Sequence, residues 1–128
     1  MTPLEDFEKQ PHTRGRGRLA ESEGVAWLQG KGFEIVERNV QYRAGEIDVV
    51  AVEGETLCFV EIKARATAVY GEAVWAVTRR KQRQIAAAAS LYLARNRYQG
   101  PCRFDVLAMD GDAGEWRYSL VRDAFQLE

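Results

Sequence analysis

Residues 45–65, which read GEIDVVAVEGETLCFVEIKAR, limit what this chain can fold into more than any other stretch. They read as a strand, a tight turn and a second strand, because Gly54 supplies the positive φ that a two-residue Gly-X hairpin loop needs at its first position. Side chains alternate along a strand, so Glu46, Asp48, Val50 and Val52 are expected on one face, with Ile47, Val49 and Ala51 on the other. In the second run, Leu57, Phe59, Glu61, Lys63 and Arg65 share a face. With Gly54 and Glu55 as the loop, Glu53 pairs with Thr56. Counting back sets Asp48 opposite Glu61 and Glu46 opposite Lys63, and a one-residue slip would send Asp48 and Glu61 to opposite faces.

Three acids and a lysine are thereby gathered on one small patch. Glu46 and Lys63 can be read as an ordinary cross-strand pair worth about 0.2–1 kcal/mol, with Asp48 and Glu61 solvated. The acids, however, continue stripes of Val50, Val52, Leu57 and Phe59 that ask to be covered. Two carboxylates about 5 Å apart repel by roughly 3 kcal/mol at an effective dielectric near 20. Lys63 offsets part of that. Hard oxygen ligands converging on a half-buried point are what a Mg2+ or Mn2+ ion uses, so the patch is a candidate metal-dependent nuclease site.

A chain of 128 residues, 46% hydrophobic and 29% charged, is sized for one globular domain with a moderate core. No apolar run is long enough to span a membrane, and no signal-peptide apolar region opens the sequence. Cys58 and Cys102 have no metal-ligand spacing, which makes a reducing cytoplasmic setting the default. The net charge of −1 means that any basic footprint for nucleic acid must be local.

Residues 1–15 hold two prolines and little periodicity and read as a flexible tail, leaving residues 16–128 as a single domain. Arg14, Arg16 and Arg18 follow as a basic run, either solvated or in contact with phosphate. His12, the single histidine, lies in the tail, which argues against histidine acid–base chemistry. Residues 19–31 read as a helix stopped by Gly30 and Gly32, with Ala20, Gly24, Trp27 and Leu28 as its apolar arc. Glu21 projects close to Leu28 on that arc, whereas Glu23 points away to solvent. An acid on a core-facing stripe is unusual, so Glu21 is a candidate site residue. The alternatives are that it sits at the stripe's edge in water or favours the first helical turn through the dipole.

Residues 33–43 read as a first strand, with Asn39 marking a bend or bulge. Residues 66–78 form a long connection containing Tyr70, Gly71 and Trp75, read either as a substrate-contacting flap or as a route carrying Trp75 back to the core. Residues 78–96 are a helix with Thr78 as N-cap and Ile85, Ala88, Ala89 and Tyr92 as buried face. Lys81 and Gln82 extend that face toward the patch, unless their stems merely cover core. Arg79, Arg80 and Arg83 project the other way, to solvent or to a DNA backbone. A strand over 102–109 follows, and its connection through a helix implies a parallel neighbour. Asp105 within it is read as structural, paired with Arg103 or a turn amide. A last strand over 115–121 places Trp116, Tyr118 and Leu120 on one face. The order helix, three-strand meander, helix, strand, strand packs economically as an α/β fold, a mixed five-stranded sheet with helices on both faces.

Asp48 followed by Glu61-Ile62-Lys63 resembles the PD-(D/E)XK signature of the restriction-endonuclease-like superfamily. Taken with GRLAESEGVAWL, Gly32-Phe33, RNVQYRAGEIDVVA, FVEIKAR, Tyr70-Gly71, RRKQRQI and RFDV, the chain resembles the YraN-like family of small bacterial proteins, akin to archaeal Holliday-junction resolvases. The single spacing is weak, but the ordered set is specific. The resemblance implies a restriction-endonuclease-like three-layer α/β/α fold of α-β-β-β-α-β-β order. It also implies that Asp48, Glu61 and the Ile62 carbonyl hold one or two Mg2+ ions, with Lys63 positioning or activating the attacking water. Glu21 corresponds to the first-helix acid, and Glu46 to a neighbouring acid that binds a second ion or tunes the first. Gln82 is a further helper from the second helix. Departures are Ala20 where Gly is common, Ala64 where Thr is frequent, and Ile47 in place of the Pro of the superfamily motif; none removes a ligand.

The function expected on this basis is a Mg2+- or Mn2+-dependent endonuclease acting on DNA, with branched or damaged structures as candidate substrates. Junction resolvases act as dimers because two strands must be cut, so a homodimer is one expected form, although no separate dimer signal is present. The alternative, from another class, is a noncatalytic adaptor that binds nucleic acid or protein and retains a nuclease fold. The weakly acidic charge favours the adaptor slightly, and the retained Asp48, Glu61 and Lys63 favour the nuclease.

Overall fold

A computed structural model describes residues 11–66, 77–112 and 114–126, with side chains from residue 19 onward. The elements in order are α1 (Pro11–Gly30), β1 (Glu34–Tyr42), β2 (Gly45–Glu53), β3 (Thr56–Arg65), α2 (Arg79–Arg95), β4 (Cys102–Asp110) and β5 (Arg117–Phe125). The five strands form one open sheet in the order β1-β2-β3-β4-β5. All neighbours are antiparallel except β3 and β4, which run parallel across the α2 connection. This is the expected α/β arrangement in the expected order.

The helices cover opposite faces. On one side α2 places Ile85, Ala88, Ala89 and Tyr92 over Val50, Leu57, Phe59, Phe104 and Val106. On the other, α1 places Ala20, Val25 and Leu28 over Val49, Cys58, Val60, Ile62, Leu107 and Met109. Tyr118 and Leu120 of β5, which starts at Arg117 and runs to Phe125 rather than over 115–121, pack against this second cluster together with Trp116 just before the strand. Gly24 lies so close to the sheet that an added Cβ would meet the Ile62 side chain at 3.1 Å.

Each helix ends where its sequence carries a stop. Gly32 takes φ 98°, and the Gly32 and Phe33 amides donate to the Gln29 and Leu28 carbonyls at 3.1 and 3.0 Å, closing α1 with a glycine cap. The Thr78 hydroxyl accepts from the Lys81 amide at 3.1 Å, capping α2, and Asn96 caps its other end through the Tyr92 carbonyl.

Three expectations need correction. The first helix starts at Pro11, not near residue 19, so residues 11–15 of the expected tail are helical; residues 1–10 lie outside the described residues, as does the candidate flap over 67–76 with Tyr70 and Trp75. Proline is well tolerated in a first helical turn, where its missing N–H has no partner to lose. Glu23 is half-buried rather than solvated, and accepts from the Gly114 amide at 3.3 Å. Finally, strict alternation through β2 fails at Asp48, because Ile47 joins the α2-side cluster while Val49 joins the α1 side. The cause lies across the strand pair. Asn39 takes φ 52°, between the pairs Arg38↔Val49 and Val40↔Ile47, and bends β1 beside Asp48.

Candidate functional site

The hairpin has the expected register. Glu53 pairs with Thr56 across Gly54, which takes φ 63°, and the ladder runs without a shift to Val49↔Val60. The next step sets Asp48 beside Glu61. There Asp48 Oδ2 accepts from the Ile62 amide at 2.8 Å, so a side chain takes the donor that the backbone ladder would otherwise engage. The two strands thus exchange a backbone rung for a carboxylate at the point where the acids meet.

Glu61 is only 4% exposed. Burial, and then the negative charge of Asp48 with which it hydrogen-bonds, push its carboxyl well above the usual carboxylate range, against the pull of Lys81 and Lys63. Lys81 Nζ stands 3.8 Å from Glu61 Oε2 and 4.0 Å from Glu46 Oε1. Burial alone would lower the Lys81 ammonium, but Glu61, Asp48 and Glu46 outweigh it and hold the ammonium above its ordinary value.

The structure brings Asp48, Glu61 and Glu46 into one cluster, with half-exposed Lys63 close enough to act on Glu61 electrostatically. Glu46 does not form an ion pair with Lys63; its partners are Lys81 and, at 3.5 Å, the Gln41 amide. The bend at Asp48 breaks the alternation that would have carried the Glu46–Lys63 pairing onward. Gln82 turns back to donate to the Val77 carbonyl at 3.1 Å, which anchors the start of α2. Glu21 is half-buried on α1, one turn before Gly24 and on the sheet face opposite to α2. The residue that the sequence flagged without assigning is Lys81, whose position one turn into α2 was its signal.

Gly45 explains how Lys81 gets there. A Cβ on Gly45 would overlap the Gln84 carbonyl oxygen and stand 2.8 Å from its carbon. Only glycine lets the first turns of α2 lie directly on the β2 backbone.

The sequence profile of the Uncharacterised protein family UPF0102 matches residues 20–109, which contain every residue of this cluster. The chain belongs to the UPF0102 family. Among its UPF0102 relatives, the protein of Shewanella pealeana is 43% identical over 112 residues, covering 88% of this chain and 96% of the relative. That of Herminiimonas arsenicoxydans is 39% identical over 120 residues, covering 92% and 97%. The UPF0102 protein YraN of Escherichia coli is 41% identical over 120 residues, covering 91% and 88%. The YraN-like membership read from the segments above is therefore correct, and it is consistent with the PD-(D/E)XK placement. No helix among the described residues of this UPF0102 chain is long and apolar enough to cross a membrane.

Proposed function

We propose that the protein is a Mg2+- or Mn2+-dependent endonuclease that hydrolyses DNA phosphodiester bonds, with branched or damaged DNA as substrate. The observation that carries this reading is the buried Glu61 carboxyl held against Asp48, where burial first and the neighbouring acid second oppose its ionisation despite Lys81 and Lys63. Among the described residues no group of three His, Cys, Asp or Glu converges as a complete metal cage. Two carboxylates with a backbone carbonyl nevertheless fit Mg2+, which takes one or two carboxylates and completes its shell with water and substrate phosphate.

Asp48, Glu61 and the Ile62 carbonyl would hold the ion, which when bound lowers the pKa of a coordinated water and offsets charge on phosphate oxygens. The chain supplies the rest. Asp48 commits one oxygen to the Ile62 amide, which fixes the carboxylate beside Glu61. Lys63, half-exposed at the rim, positions the attacking water and stabilises the charge that builds on the phosphorane-like transition state. Glu46 tunes the site through Lys81. Gln82 acts by pinning the start of α2 rather than by touching substrate. Glu21 is assigned a supporting role from the α1 side of β3. Arg79, Arg80 and Arg83 are all exposed on the first turns of α2 and suit phosphate contact. Cutting both strands of a junction calls for two copies of the chain.

The test is cleavage of linear, nicked, flap and four-way DNA with Mn2+ by wild type, Asp48→Asn and Lys63→Ala. Structure-dependent cutting by wild type alone is expected. Equal cutting by all three would indicate a contaminant. One observation favours the adaptor reading: Lys81 gives Glu61 a cation from within the chain. Binding of DNA without cleavage of any substrate would favour that alternative.

A further inference from the structure

Contacts between acid and base differ at the two ends of the β2–β3 hairpin. At the hairpin turn, Glu53 accepts from Arg122 Nε at 2.8 Å and Nη2 at 2.7 Å, a bidentate pair at full hydrogen-bond length. At the candidate site, Lys81 Nζ lies 3.8 Å from Glu61 and 4.0 Å from Glu46, beyond the length of a charge-assisted hydrogen bond. The ammonium stands between two acids and is bonded tightly to neither. Its side chain is 29% exposed, against 5% for Glu61, so it reaches the pair from the solvent side, on a flexible four-carbon stem.

The backbone beneath that stem is fixed. The Thr78 hydroxyl takes the Lys81 amide, Gln82 donates to the Val77 carbonyl, and Gly45 seats the helix against β2. Lys81 can therefore withdraw its ammonium by rotating side-chain torsions while its α carbon stays in place. A divalent ion on Asp48 and Glu61 and an ammonium 3.8 Å from the same carboxylate repel each other, so the two occupy the pair in turn.

We infer that Lys81 is a built-in competitor for the Asp48–Glu61 pair: it compensates the acids, yields when a divalent cation binds, and then presents its ammonium to the substrate phosphate. This rests on the metal-dependent reading above. It makes cation binding and phosphate binding mutually reinforcing, because the same lysine is released from one to serve the other.

The experiment is calorimetric titration of the full chain with Mn2+, comparing wild type, Lys81→Met and Lys81→Gln, with Asp48→Asn as control. Removing the competitor is expected to tighten Mn2+ at least tenfold in both Lys81 variants, with binding still lost in Asp48→Asn. A lysine of merely structural value would loosen the site on removal, so tightening separates the two roles. Mn2+ binding by Lys81→Met where wild type shows none would support the inference more strongly. Equal or weaker Mn2+ affinity in both Lys81 variants, with wild type binding through Asp48, would overturn the competition and leave the metal reading standing. No binding by any of the proteins would overturn both. For the second step, saturating Ca2+ is expected to raise the affinity for four-way DNA by a larger factor in wild type than in Lys81→Met; equal factors would overturn it.

Discussion

Replacing Glu61 by Gln should make the protein more stable while removing a ligand of the proposed metal site. Glu61 is 4% exposed, and Asp48 opposes its ionisation while Lys81, and more weakly Lys63, favour it. Lys81 at 3.8 Å attracts the carboxylate by roughly 4 kcal/mol at an effective dielectric near 20. Asp48, close enough to hydrogen-bond with Glu61, repels it by an energy of the same order. The two nearly cancel, which leaves the burial of an ion, several kcal/mol in a protein interior, as the net effect. Glutamine keeps the shape and can still hydrogen-bond to Asp48, so a gain of about 1–2 kcal/mol is expected near pH 8, or roughly 3–8 °C in Tm. The sign of the pH dependence follows from the direction of the shift. A carboxyl raised in the fold penalises the folded state once it ionises, so wild type loses stability as pH rises through its folded value. The advantage of Glu61→Gln should therefore grow from pH 5 to pH 9. Urea denaturation of both proteins across that range measures it. A variant less stable than wild type at pH 9, or an advantage that shrinks as pH rises, would refute the reasoning.

Two further outcomes are expected. Gly45→Ala should cost about 1–3 kcal/mol in urea denaturation, because its methyl group meets the Gln84 carbonyl and lifts the start of α2. Glu53→Gln should cost about 1–2 kcal/mol at pH 7: hydrogen bonds from Arg122, with those of Arg103, outweigh burial and hold Glu53 at about 2, and the full shift of roughly 3 kcal/mol is reduced by solvent screening. That stability is present above pH 4.5 and lost as pH falls toward about 2, so the denaturation curves of variant and wild type should converge in acid. Persistence of the difference at pH 2 would rule out the ion-pair origin.

The hairpin register was legible because one glycine fixed it. Gly54 set the turn, the turn set Glu53 against Thr56, and the period of two carried the count to Asp48 and Glu61. The α2 boundaries were legible through Thr78 and the alanine run, and Asp105 was legible as structural because Arg103 stands two residues away on the same face. It binds the Arg103 guanidinium at 2.9 Å and also the Asp123 amide, which the register shift in β5 brings to it. What could not be read was set by contacts distant in sequence. The bend at Asp48 depends on Asn39 in another strand and on an amide fourteen residues away. The approach of Lys81 depends on the close fit of Gly45 against Gln84, and nothing in periodicity reveals a distance between a helix and a strand. Gln82 and Lys81 looked equivalent on a helical projection, yet Lys81 reaches the acids while Gln82 turns back to donate to the Val77 carbonyl.

The two ends of the β2–β3 hairpin serve as controls for each other. Glu53 at the turn end is matched by two guanidiniums, from Arg103 and Arg122, and is held far below the ordinary carboxylate range. Asp105, with 0% exposure, is satisfied by a guanidinium and an amide. The chain is therefore able to bury acids at low cost where it only needs a stable sheet. At the other end of the same hairpin it buries an acid against a second acid, with Lys81 held only at 3.8 Å and Lys63 farther to the solvent side, so that burial and Asp48 hold Glu61 well above that range. Misplaced charge of this kind would be expected to drift toward apolar or paired residues if the patch were only structural. A fold that compensates Glu53 and Asp105 with guanidiniums and an amide but holds Glu61 buried against a second acid fits the proposed cation site better than a purely structural patch, and on this contrast we favour the nuclease proposal over a retained scaffold.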